Sequence, residues 1–268
     1  MLLSTFNILG KKKGPYDIHK KKKFSQSGEE GILEFLLKKI NKNSSFLNNL
    51  KVVEFGAWDG VNLSNTFYFV KKYNAQALFI ENDKDKYKDL IKTVQKYPKI
   101  TSVNCTVNSN RNSKYSLDHI LKKYFNHKNI DILSIDVDSC DLEIWKNLEK
   151  FFPKIVVIEI NSELGKYKKL TCSSKDNILG NSFSSTIEVA QKKGYVLVSH
   201  IGNCIFLRKN FIKKLNFNKK FIDNPHLLYN DYWLNINPFL YYAEYIINFF
   251  LKKINRFLQK HNFINKYD

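Results

Sequence analysis

Apolar residues along the chain fall into short runs that switch between two periods. Ile32, Leu33, Phe35, Leu36 and Ile40 recur at helical spacing and predict a helix over about 29–42. Ser27 and Glu30, three residues apart, fit a capping box at its start. Compact apolar runs then predict strands over 51–56, 75–81, 100–105, 130–137 and 154–160. Helical patterns over 63–73, 84–97, 116–125, 142–152 and 183–193 alternate with them. Strands over 195–200 and 204–208 are separated by only Ile201-Gly202-Asn203, too short for a crossover helix, so this last pair must be antiparallel. Strands alternating with helices predict an α/β fold: a mostly parallel sheet with helices on both faces, closed by a terminal antiparallel hairpin.

The flanks read differently. Two lysine runs, Lys11–Lys13 and Lys20–Lys23, make residues 1–23 a basic arm. After 210, Leu240, Ala243, Ile247, Phe250, Ile254 and Phe257 recur at spacings of three and four, with Lys252, Lys253, Arg256 and Lys260 opposite. This is a basic amphipathic helix in a helical extension over 211–268. Packing on the core or a homodimer is the first expectation for it, and peripheral contact with an anionic membrane the second. The central domain is expected over 24–210.

Length and composition suit one large domain: 268 residues, 43% of them hydrophobic. The formal net charge is +19, which attracts polyanions or phosphorylated substrates, although scattered lysines are also ordinary solvated surface. Cys105, Cys140, Cys172 and Cys204 form no C-x-x-C pair, and reduced thiols in a cytoplasmic protein are expected. No apolar run approaches the ~18 residues of a membrane span, and the N-terminal lysines follow the apolar stretch, the reverse of a signal peptide.

Chemistry gathers where the predicted strands end. Val52-Val53-Glu54-Phe55-Gly56-Ala57-Trp58-Asp59-Gly60 is a buried strand ending in a glycine turn with acids at its mouth. Gly56 lets the backbone approach a ligand closely. Glu54 and Asp59 suit a cation such as the sulfonium and amino group of S-adenosylmethionine. They suit a pyrophosphate poorly, and the G-x-G-x-x-G spacing is missing. The second strand ends in Ile80-Glu81-Asn82-Asp83. An acid at that tip can bind both ribose hydroxyls, which makes Glu81 a cofactor ligand with Asn82 beside it. Asp83 reads as a helix cap. Asn104, ending the third strand, is a candidate for contact with the adenine. The fourth strand ends in Asp136-Val137-Asp138-Ser139-Cys140-Asp141, and the fifth in Glu159-Ile160-Asn161. Asp136 and Asp138 with Glu159 form an oxygen cluster able to hold Mg²⁺ or Mn²⁺, or else to position a hydroxyl and take its proton. Asp138 is the first choice of base, then Asp141 and His200, with Asp136 close to the reaction centre.

Five parallel strands and a final hairpin form the layout of Rossmann-like class I methyltransferases. The Asn/Asp-Pro-Pro pattern of DNA amino-methyltransferases is absent. The sequence resembles the FkbM-like methyltransferase family over roughly 24–210. The matching stretches are Phe24 to Ile32, Val53 to Gly60 with Ser64-Asn65-Thr66, Asp131 to Asp138, Gly194 to Val198, and Asn203 to Arg208. The resemblance implies S-adenosylmethionine at Glu54, Gly56, Asp59 and Glu81, Asp136 near the reaction centre, and O-methylation of small molecules or sugars. Asp138-Ser139-Cys140 departs from the Glu-Gly that many members carry there, so substrate details are not transferred. With the basic surface, the expected acceptor is a nucleotide-linked or phosphorylated sugar in bacterial capsule or lipooligosaccharide synthesis. The rivals are an RNA methyltransferase, disfavoured as to nucleic acid, and a non-catalytic scaffold of the same fold held at the inner membrane.

Overall fold

The computed structural model describes residues 14–41, 44–125, 129–136, 141–172 and 180–230, with 246–247, 250–251 and 253–254 near the C-terminus. Two compact units are distinguished, residues 14–230 and the two terminal segments together. In the terminal unit, the described residues Ile246, Ile247, Phe250, Leu251, Lys253 and Ile254 are helical. The other positions of the expected amphipathic helix (Leu240, Ala243, Lys252, Arg256, Phe257 and Lys260) lie outside the described residues, as do Lys11–Lys13.

The larger unit is built on seven strands: β1 (Lys51–Phe55), β2 (Gln76–Glu81), β3 (Ile100–Asn104), β4 (Ile132–Ile135), β5 (Ile155–Ile158), β6 (Tyr195–His200) and β7 (Cys204–Arg208). They lie in the order β3-β2-β1-β4-β5-β7-β6. The first five are parallel, and β7 runs antiparallel to both β5 and β6. This is the expected mostly parallel α/β sheet with its terminal antiparallel hairpin. The middle strands β4 and β5, Ile-Leu-Ser-Ile and Ile-Val-Val-Ile, are buried at every position, as strands covered on both faces must be. Edge strand β3 is half exposed.

Among the described residues, seven α-helices accompany the sheet: α1 (Glu29–Ile40), α2 (Phe67–Tyr73), α3 (Lys84–Lys96), α4 (Leu117–Phe125), α5 (Asp141–Asn147), α6 (Phe183–Lys192) and α7 (Lys219–Asp223). From β1 the chain steps outward to β2 and β3, and from β4 it steps the opposite way to β5. Right-handed crossovers therefore put α2 and α3 on one face and α5 on the other.

Three expectations need correction. Helix α2 begins at Phe67 rather than near 63, because Leu63 is in the left-handed region (φ 58°) and residues 64–66 fold onto Glu54. The capping box at α1 does not form: the N-cap is Gly28 (φ 92°) with no side-chain cap. Glu30 instead turns back, its Oε1 accepting the amides of Lys23 (2.6 Å), Phe24 (2.7 Å) and Ser25 (3.3 Å). The expectation of reduced thiols throughout also fails, since Cys172 is disulfide-bonded while Cys105 and Cys204 are free.

At the amino ends of the strands, buried Asp131 locks the sheet. Its Oδ2 accepts the Lys51 amide at 2.8 Å and its Oδ1 pairs with Lys154 at 2.9 Å. Among the described residues no helix is long and apolar enough to cross a membrane.

Candidate functional site

The carboxyl ends of β1, β2, β4 and β5 are drawn level by backbone bonds that continue past the strands. Gly56 and Ala57 donate to the Ile80 carbonyl (3.0 and 3.2 Å), Asp136 to Phe55 (3.2 Å) and Glu159 to Ile135 (3.2 Å). The sheet order reverses between β1 and β4, the place where a ligand crevice forms in such sheets. A cleft of about 240 Å³ opens there, and Glu54, Gly56, Glu81, Asn82, Asp136 and Glu159 all line it. The sequence-predicted residues of four separate strand ends thus share one cavity.

The turn after β1 is unusual backbone. Gly56 (φ 77°), Trp58 (φ 48°), Gly60 (φ 76°) and Leu63 (φ 58°) all occupy the left-handed region. For tryptophan and leucine that conformation costs free energy and persists only where surrounding structure enforces it. Glu81 supplies part of the enforcement. It is 3% exposed, its Oε2 accepts the Trp58 amide at 2.7 Å, and its Oε1 accepts the Asp83 amide at 2.9 Å. Each carboxylate oxygen accepts more than one hydrogen bond, so Glu81 retains acceptor capacity toward the cleft.

Glu54 is committed to the fold more heavily. Its carboxylate accepts the hydroxyls of Ser64 (2.7 Å) and Thr66 (2.5 Å) and the amides of Asn65 (3.0 Å) and Thr66 (3.2 Å). Burial raises its pKa above the usual carboxylate range against the pull of these bonds, and the charge of Asp136 adds to the rise. Besides lining the cleft, it folds the buried 64–66 segment that follows Asn62 and Leu63 of the cleft wall. Asn65 extends that tie to β4 through Ser134 Oγ at 3.0 Å.

Other expected ligands are displaced from the cavity. Asp59 accepts the amides of Val61 (2.9 Å) and Asn62 (2.8 Å), and shapes the turn without lining the cleft. Asn104 donates to the carbonyls of Glu81 (2.8 Å) and Asn82 (3.3 Å), bracing the end of β2. Asp83 is the N-cap of α3, and the amides of Lys86 and Asp85 lower its pKa. Asp141 is the buried first residue of α5 and does not line the cleft. His200 is a correction: it is 2% exposed, stacks on Tyr229 at 5.4 Å, and its Nδ1 accepts the Asn230 amide at 3.0 Å. Burial pushes its pKa down to about 3, so it is a neutral core residue and not a base in the cleft. Asp138 lies outside the described residues.

Sequence reasoning missed Gln26, Trp58, Asn62, Leu63 and Lys86, which line the same cleft. Trp58 and Leu63 are 41% and 53% exposed, and Lys86 Nζ lies 6.0 Å from the Trp58 ring centre. Trp58 sat inside the glycine motif, and its exposure was the unread signal: an apolar side chain in a turn has no core of its own to enter.

Beside the cleft is a largely apolar recess of about 60 Å³, formed by Phe55, Ile80, Cys105, Thr106, Val107 and Ile144, with Gly56 and Asn82 common to both cavities. Burial raises the Cys105 thiol pKa, which keeps it a neutral wall. Four carboxylates against one lysine at the cleft, next to an apolar slot, form a donor set that fits a cationic group joined through a polyhydroxyl linker to a flat base. S-adenosylmethionine has that chemistry. Among the described residues no three His, Cys, Asp or Glu side chains group as a metal site. Asp136 and Glu159 are brought to one cavity, and the third oxygen ligand expected with them, Asp138, is not described.

No protein-family model matches the sequence, and no curated protein matches it. Solved structures similar to this chain include M. capricolum TrmK with S-adenosyl-homocysteine, at 16% identity over 66% of this chain and 67% of that chain, with a TM-score of 0.40. The CMeT domain of the citrinin polyketide synthase is similar at 12% identity over 67% of this chain and 51% of that one, with a TM-score of 0.46. PKMT2 from Rickettsia typhi in complex with AdoHcy is similar at 16% identity over 67% and 45%, with a TM-score of 0.43. This chain spans about half the length of the latter two.

Proposed function

We propose that this chain is an S-adenosylmethionine-dependent methyltransferase acting on an oxygen of a small-molecule or sugar acceptor, phosphorylated or nucleotide-linked. The observation that carries the reading is the convergence of Glu81, Asn82, Asp136 and Glu159 on one acidic cleft that adjoins an apolar recess. In this reading Glu81 accepts from the ribose hydroxyls, and Phe55, Ile80 and Ile144 pack against the base. Glu54 acts by holding residues 64–66, which follow Asn62 and Leu63 of the cleft wall. When bound, the donor supplies an electrophilic methyl group on a sulfonium.

The chain's part is to hold acceptor oxygen and methyl in line, at a separation of ~3–3.5 Å. A carboxylate at the cleft then takes the acceptor proton. Asp136 and Glu159 line the wall where that proton would be released, and Asp138, two residues beyond Asp136, stays the first choice of base. The same three residues are the proposed ligands should Mg²⁺ or Mn²⁺ be required. Membership of the FkbM-like family and a place in capsule or lipooligosaccharide synthesis, at the cytoplasmic side of the membrane, rest on the order of the sequence motifs.

The test is calorimetric titration with S-adenosyl-homocysteine, followed by transfer of labelled methyl from S-adenosylmethionine to fractionated glycan precursors with and without Mg²⁺ or Mn²⁺. Glu81→Ala is expected to weaken binding by about tenfold or more, the worth of a charge-assisted hydrogen bond. Failure of the unaltered protein to bind S-adenosyl-homocysteine at all sinks the reading. The net charge of +19 favours RNA as a second acceptor class, which bulk RNA added to the same assay detects as steeply salt-dependent binding.

A further inference from the structure

A further pocket, of about 380 Å³, is lined among the described residues by Lys23, Phe24, Tyr68, Lys71 and Lys72, with no acid among them. Its two walls are both continuous with the cleft. The segment 23–26 contributes Lys23 and Phe24 to this pocket and Gln26 to the cleft. Helix α2, joined by residues 64–66 to Asn62 and Leu63 of the cleft wall, contributes Tyr68, Lys71 and Lys72. A bridge between Ser25 and Leu63 ties the two walls together.

The ammonium groups are positioned rather than free-swinging. Lys23 lies 5.8 Å and Lys72 5.2 Å from the Tyr68 ring centre, and Lys71 lies 5.4 Å from that of Phe24. Glu30 fixes the backbone of Lys23 and Phe24 through their amides. Beneath the pocket, buried Glu34 pairs with Lys72 at 2.5 Å and Lys38 at 3.2 Å and accepts the hydroxyls of Tyr68 and Tyr73. Burial alone would raise the Glu34 pKa, but the bonds from Lys72, Tyr73, Lys38 and Tyr68 hold it at about 2. That carboxylate answers Lys72 and Lys38. Among the described residues, Lys23 and Lys71 have no ion pair. Lys23 and Lys71 thus add two positive charges around one cavity beside the Glu34-paired Lys72, and a multivalent anion relieves their repulsion.

We propose that the Lys23–Lys71–Lys72 pocket binds a phosphate or diphosphate group, and that this group belongs to the acceptor whose reacting oxygen reaches the adjoining cleft. The second half rests on the methyltransferase reading, and the first does not. It makes the pocket an anchor that selects phosphorylated acceptors over their free alcohols.

The test is calorimetry on the full chain with two separate titrants, inorganic pyrophosphate and S-adenosyl-homocysteine, in the unaltered protein and in Lys23→Gln/Lys71→Gln. Both substitutions are at exposed side chains and leave the Glu34 cluster intact. Pyrophosphate binding by the unaltered protein, weakened by about tenfold or more in the double variant with S-adenosyl-homocysteine affinity unchanged, supports the pocket. Absence of pyrophosphate binding, equal binding in the variant, or binding of RNA oligonucleotides without pyrophosphate overturns it. If pyrophosphate binds at this pocket while S-adenosyl-homocysteine does not bind at all, the methyltransferase reading and the acceptor assignment fall and the anion site stands.

Discussion

Glu54 and Glu81 end neighbouring parallel strands and look alike in the sequence, yet the fold uses them differently. Glu54 spends its lone pairs on four donors from residues 64–66. Glu81 spends two bonds on backbone and faces the cleft with the remainder. The position of each acid was legible, because a strand end is a local feature. Apart from the Asp83 amide, its partners were not, because they arrive from segments 10 to 23 residues away. His200 shows the same limit and yields a prediction. The folded chain keeps its imidazole neutral down to about 3, whereas the unfolded chain protonates it below its ordinary 6.5. Its contribution to stability is therefore complete above pH 6.5 and is lost as pH falls toward 3. At pH 5 the loss is about 2 kcal/mol relative to pH 7. Urea unfolding at the two pH values should show that loss in the unaltered protein and a flatter dependence in His200→Gln. Equal slopes would place His200 in contact with solvent.

At the scale of elements, α1 was readable from its apolar stripe, and the structure starts it at the expected residue. What lies before it was not readable. A capping pair is a short-range pattern, but Glu30 found better donors in the 23–25 segment, which folds back across the helix start. Gly31 marks how tight that crossing is: a Cβ there would sit 2.1 Å from the His19 carbonyl oxygen and 2.6 Å from the Lys21 amide nitrogen. Both obstacles are backbone and cannot rotate away. Gly31→Ala should therefore destabilise by about 1–3 kcal/mol despite alanine's better helix propensity. Thermal unfolding checks it, and an unchanged or raised midpoint would mean that the 19–21 segment does not pack on α1 in solution. Because this segment leads into Lys23 and Gln26, the variant should also loosen both pockets.

At the scale of the molecule, the two ends of the sheet divide the labour. The carboxyl ends hold the acids of the cleft. The amino ends are closed by Asp131, which joins the starts of β1, β4 and β5 through Lys51 and Lys154. The Asp131–Lys154 pair is nearly dry, with side-chain exposures of 3% and 16%. Removing one partner leaves the other charge buried and unpaired. Lys154→Met should cost about 3–5 kcal/mol in chemical denaturation, with S-adenosyl-homocysteine affinity of the folded fraction unchanged because the pair is at the far end from the cleft. A cost below about 1 kcal/mol would mean that water reaches the pair.

By itself the sequence determined the alternation of strands and helices, the antiparallel hairpin at the end, and the acids and glycine turn at the strand tips. Those properties follow from residue-to-residue periodicity and from the limited reach of short connections. Only the tertiary structure decided which acids share a cavity and which are consumed as braces, and why Trp58 and Leu63 are exposed. It also decided that lysines from two distant segments surround one pocket. Each of these depends on where a hydrogen-bond partner or a neighbouring charge arrives in space, and no spacing along the chain encodes that.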